Sequence, residues 1–147
     1  MVAVVTLADG DSSNPADGAP VPRILFDTGA LEELGPASTG AVWRLSEPGR
    51  QIDANIVRIP SGQRVETHAE PDLDVLLLVV AGDGTLVTPA EPYPLGEGSL
   101  VWLPHGSTRG LEAGKQGMSY LTVHRRRPGM RIQPAESRDR GPDRPRP

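Results

Sequence analysis

The stretch "IPSGQRVETHAEPDLDVLLLVVAGDG", residues 59–84, places one histidine among acidic residues and then enters an almost unbroken apolar run. In an extended chain Leu76, Leu78 and Val80 share one face and Val75, Leu77 and Val79 the other, so a strand here needs cover on both sides. The run is too short for an ordinary core helix, and "AGDG" after it reads as a turn. One face belongs to a core. The other calls for a second sheet layer, the N-terminal segment or a second subunit, because so large an apolar patch is unusual on a monomer. The expectation is a homodimer formed through an apolar outer sheet.

The same strand signature recurs on both sides of this stretch. "GAVWRL" (40–45), "DANIVRI" (53–59), "DVLLLVVA" (74–81), "GTLVT" (84–88), "SLVWLP" (99–104) and "MSYLTVHR" (118–125) are short, apolar or β-branched, and bounded by Gly or Pro. "RILF" (23–26) reads as a possible first strand and "TGALEEL" (28–34) as a short helical turn. Regular spacing of this kind predicts an all-β sandwich or closed barrel. Three segments are expected: a flexible stretch over 1–22, biased to Asp, Gly, Ser and Pro; one domain over 23–133; and a disordered Pro/Arg-rich tail over 134–147.

Composition narrows the function. The chain has 147 residues, 37% of them hydrophobic, with 17 Gly, 16 Pro and only two Trp, two Tyr and one Phe, so the core must rest on Val, Leu and Ile. A formal charge of -4, with basic residues bunched near the C-terminal end, gives no nucleic-acid footprint. There are no cysteines, which removes disulfides, thiol catalysis and thiolate metal sites. The opening residues lack the pattern of a signal peptide and no stretch is long enough to span a bilayer, so a cytoplasmic protein without membrane contact is expected. "AGDGT" lacks the glycine spacing and lysine of a phosphate loop, and no Ser-His-Asp pattern is visible.

Two motifs, in order, resemble those of the cupins, small jelly-roll β-barrels. The first runs Gly62, His68, Glu70, Asp74 and Gly82; the second runs Gly98, Pro104, Gly106 and Arg109, with residues 83–97 between them. The resemblance covers roughly residues 40–127 and implies a single cupin-type jelly-roll barrel. In such barrels two histidines and a glutamate of the first motif and a histidine of the second converge on a divalent metal. Here His68 alone is kept, and Glu70, Asp74 and Arg109 stand at the other positions.

A guanidinium has no lone pair to give a cation. Facing a dication at ~4 Å, with an effective dielectric of ~20, it would cost about 8 kcal/mol before relaxation. The expectation is therefore a barrel that binds a small organic molecule through His68, Glu70, Asp74, Arg109 and His124 without a catalytic metal. Arg109 would pair with the carboxylates in an internal charge network, and His68 is the candidate general base. Asp74, set in "LDVL", is expected inside, and His124 to share a face with Tyr120 and Thr122.

Two alternatives stay open. One is a metal-dependent dioxygenase or isomerase, with Fe, Mn, Ni or Zn on His68, Glu70 and Asp74; the other is a non-enzymatic structural or regulatory module. At single positions, Glu70 to Asp72 also read as a solvated turn and Arg109 as a surface residue. Asp53 and Asn55 fit either the pocket or solvent, His105 a turn at the surface, Trp43 and Trp102 core or pocket walls, and "RRRP" (125–128) a solvated strand end.

Overall fold

The computed structural model describes residues 20–35 and 38–127. Most of the predicted 1–22 segment and all of the 134–147 tail lie outside the described residues. A short 3-10 helix, Thr28–Glu33, is capped by Asp27, whose carboxylate accepts from Gly29 N at 2.9 Å; it buries Leu31. Seven strands follow: β1 Gly40–Arg44, β2 Ile52–Ile59, β3 Arg64–Ala69, β4 Val75–Val87, β5 Tyr93–Gly96, β6 Leu100–Leu103 and β7 Thr108–Arg125. Among the described residues no helix is long and apolar enough to cross a membrane.

All pairings are antiparallel, in the order β1-β2-β7-β4-β5, with β3 added on β7 and β6 on β4. The two long strands make the barrel. Residues 118–125 of β7 pair with β2 while its first residues, from Thr108 to Glu112, pair with β3; Val75–Leu78 of β4 pair with β6 while Asp83–Leu86 pair with β5. Each long strand thus leaves one layer and enters the other at its middle, where the β4–β7 register shifts twice, between Val79 and Ala81 and between Gly82 and Gly84. Gly82 lies at this bend with φ +73°, and a Cβ there would stand 2.1 Å from Gly117 O, so only glycine fits.

"AGDG" is consequently no turn, and "DVLLLVVA" and "GTLVT" are one strand: pairing with β7 on both sides of the bend overrides local turn chemistry. "RILF" is unpaired and forms no strand. β3, β5 and the first half of β7 were not expected. β3 is polar and mostly exposed, β5 carries Pro94, and the β7 segment is broken up by Gly110, Gly114 and Gly117.

Val75, Leu77 and Val79 face the core with Met118, Leu86 and Leu111, each at about 1.5–3 kcal/mol of burial. Leu76 and Leu78 take the other face, as period two demands. That face continues through Leu100 and Trp102 of β6, their register partners being Leu78 and Leu76. Leu100 and Trp102 are 69% and 65% exposed, so Trp102 is not core but part of an outer apolar surface, where it walls a groove. Trp43 is half-buried, with its ring 6.0 Å from that of Phe26.

Candidate functional site: a polar-mouthed cavity in the barrel

Between the two layers lies a cavity of about 200 Å3. β4 contributes Val75 and Leu77 and β6 Leu103; β7 gives Arg109 and Leu111 from one layer and Tyr120, Thr122 and His124 from the other. Val65 and His68 on β3, Glu70 and Leu73 in the following loop, Gly110 on β7 and Arg127 complete the lining. Four of the five residues singled out in the sequence, His68, Glu70, Arg109 and His124, therefore meet at one cavity.

Asp74 does not join them. With Val75 turned inward, the preceding side chain must point out, and Asp74 is 55% exposed. Its Oδ1 accepts from His105 N at 2.8 Å and faces His105 Nδ1 at 2.7 Å. The backbone bond first, and the imidazole second, hold the Asp74 carboxyl below the usual carboxylate range. Asp74 thus clamps the turn after β6 to the start of β4. The set His68, Glu70 and Asp74 is not assembled, and among the described residues no group of three or more His, Asp or Glu side chains is placed to hold a metal ion.

The charge network anticipated around Arg109 is also not formed. Glu70 is engaged elsewhere: its Oε1 accepts from Asp72 N at 3.1 Å and its Oε2 is bonded to the Arg127 guanidinium. The Asp72 N–H is the main cause of a lowered Glu70 pKa, followed by the charges of Arg127 and Arg109. Arg109 itself is 6% exposed, and its Nη1 donates to Ser107 O at 3.2 Å. No carboxylate among the described residues lies within ion-pair distance of it.

The histidines have definable tautomers. His68 Nδ1 lies 3.0 Å from Glu66 O and His124 Nδ1 2.8 Å from Arg125 O. A carbonyl only accepts, so each Nδ1 carries the proton, and in the neutral ring the lone pair resides on Nε2. His68 is also the cross-strand partner of Arg109. Tyr120 is buried, which pushes its phenol up to about 12 and keeps it an O–H donor at neutral pH. Asp53, opposite His124 in the β2–β7 register, is taken up by Arg50 at 2.9 Å; that bond is the first cause of its lowered pKa.

Arg127 was missed by sequence reasoning, which assigned "RRRP" to a solvated strand end. The available signal was the need of Glu70 for a cation. A second, larger and more open groove of about 850 Å3 runs past Pro89, Tyr93, Pro94, Leu100 and Trp102, and Arg109 borders it as well. The inner cavity, with its convergent polar groups over apolar walls, has the character of a ligand site.

An antiparallel sheet folded into two layers around such a cavity defines a small two-layered β-barrel. No protein-family model matches the sequence, and no curated protein matches it. Solved structures do. The chain is similar to a cupin-2 domain containing protein from Shewanella frigidimarina, with TM-score 0.55, 14% identity, and coverage of 69% of this chain and 95% of that one. It is similar to KdgF from Halomonas sp., with TM-score 0.53, 18% identity, and coverage of 59% and 78%. It is also similar to the Schizosaccharomyces pombe Cnp3 cupin domain, with TM-score 0.52, 14% identity, and coverage of 58% of this chain and 63% of that one. The match thus spans less than two thirds of the Cnp3 chain. The chain has the cupin fold, as its two motifs implied; likeness at this level of identity carries the fold and not the activity.

Proposed function

We propose that this protein is a small single-domain cupin that binds a compact organic molecule inside its barrel without a catalytic metal. One observation carries the reading. The cavity is lined by a buried arginine that has no anionic partner among the described residues, where a metal-binding barrel would need lone pairs. The chemistry within reach is proton transfer, with the Nε2 lone pair of His68 as base. Glu70 is unsuited to that role because its hydrogen bonds hold it ionised and weakly basic. A cysteine-free chain, needing no oxidising compartment, fits the cytoplasm.

Elemental mass spectrometry on untagged protein purified without chelator tests the reading. Metal far below one ion per chain is expected, with no thermal shift on adding Fe, Mn, Ni or Zn. A stoichiometric metal that protects against heat would overturn it in favour of a metal-dependent dioxygenase or isomerase.

The outer surface supports a second element of the proposal, a homodimer. Ile52, Leu76 and Trp102 are exposed, and the groove they line is rimmed by both an acid, Asp74, and a base, Arg125; exposed Leu100 extends the same outer face along β6. A rim carrying both signs suits a second copy of the same surface related by a two-fold axis. Sedimentation should show a dimer for the natural chain and a monomer for Trp102→Glu. A monomeric natural chain at high concentration would sink the dimer.

A further inference from the structure

The state of Arg109 says more than that something binds. A guanidinium offers five N–H donors in a fixed fork, and this one gives Nη1 to a single carbonyl while the carboxylate that shares its cavity, Glu70, is engaged by Asp72 N and Arg127. A buried cation without a counter-ion is costly, and the fork matches a planar group with two oxygens. Tyr120 adds a second donor that stays protonated. The cavity is otherwise walled by Leu73, Val75, Leu77, Leu103 and Leu111, which offer a ligand no hydrogen bond. Glu70, ionised and close enough for Arg109 to influence it, sets a limit on how much negative charge the cavity can admit.

Volume sets the size. An apolar cavity of roughly 150 Å3 accommodates benzene, and this one measures about 200 Å3. The difference leaves room for one small polar group on a ring or on a short chain.

We propose that the ligand is a compact apolar monocarboxylate of the size of benzoate or hexanoate, its carboxylate on the Arg109 guanidinium and its apolar body against Leu77, Leu103 and Leu111. This rests on the ligand-binding reading above and specifies its chemistry. Doubly charged phosphates are disfavoured by Glu70, and neutral isosteres leave the guanidinium without an anion.

Calorimetric titration of the full chain with benzoate, hexanoate, benzamide, benzyl alcohol and inorganic phosphate tests it. Benzoate should bind at least about tenfold tighter than benzamide, as a charge-assisted pair requires, and phosphate should not compete with it. In Arg109→Met the benzoate-to-benzamide ratio should fall to near unity. The ratio in the natural chain needs no variant, so a misfolded Arg109→Met would not spoil the test. Equal affinity for benzamide and benzoate, or competition by phosphate, would overturn the carboxylate assignment and leave a ligand-binding barrel. Failure of every probe to bind would overturn both.

Discussion

The two ends of the barrel are built to opposite rules. Where β4 and β7 bend from one layer to the other, Met118 and Ser119 have no exposure at all and the backbones at Gly82 and Gly117 touch. At the other end the two layers part around a cavity, to which β7 presents Arg109 from one layer and Tyr120, Thr122 and His124 from the other. One end is close-packed and the other holds unspent hydrogen-bonding capacity. Close packing and open polar capacity are thus divided along the length of two shared strands, each confined to its own end.

Met118→Ala attacks the closed end and should have the largest effect. Removing a fully buried side chain that fills the bend costs about 3 kcal/mol in urea unfolding, with affinity for a cavity ligand little changed. A loss under about 1 kcal/mol would mean that the bend can collapse around the gap.

Arg109→Met sharpens the contrast from the open end. Replacing a buried charge that lacks a counter-ion by an apolar chain of similar length should stabilise the unliganded protein by about 1 kcal/mol, at the expense of binding. A clear loss of stability in the thermal midpoint would show that Arg109 holds the fold as well as the ligand.

Asp74→Asn, on the outer face at the start of β4, should have the smallest effect, visible through its pH dependence. The folded carboxyl titrates below the unfolded one, so its contribution is fully present above about pH 4 and disappears as the pH falls through the lowered folded value. The variant should be less stable than the natural chain at neutral pH and equal to it in strong acid. A gap that stays constant across that range would remove His105 as the cause.

The contrast between the ends also explains what could be read from the sequence. The fold class was legible because strands such as "DANIVRI" and "SLVWLP" carry their own apolar signal. The bend was not, because "AGDG" looks like a local turn, and only its pairing with β7 on both sides keeps it within a strand. His68, Glu70, Arg109 and His124 could be found from their spacing, and each lines the cavity. Asp74 could not be placed, since both faces of 75–80 are apolar and the sequence does not say which one turns inward. Once Val75 faces the core, parity sends Asp74 out to His105. The partner of Glu70 escaped for a related reason: Arg127 is distant in sequence and reaches the cavity only through the course of β7.

β4 and β7 run unbroken through both layers, so the same two strands supply central pairings to each. Neither layer can be assembled while the other is absent. Four of the six strand pairings join segments more than 20 residues apart, so loop-closure entropy must be met before those pairings are rewarded. The barrel therefore has no half that could persist alone as a folding intermediate, and it should form and come apart as a single cooperative unit.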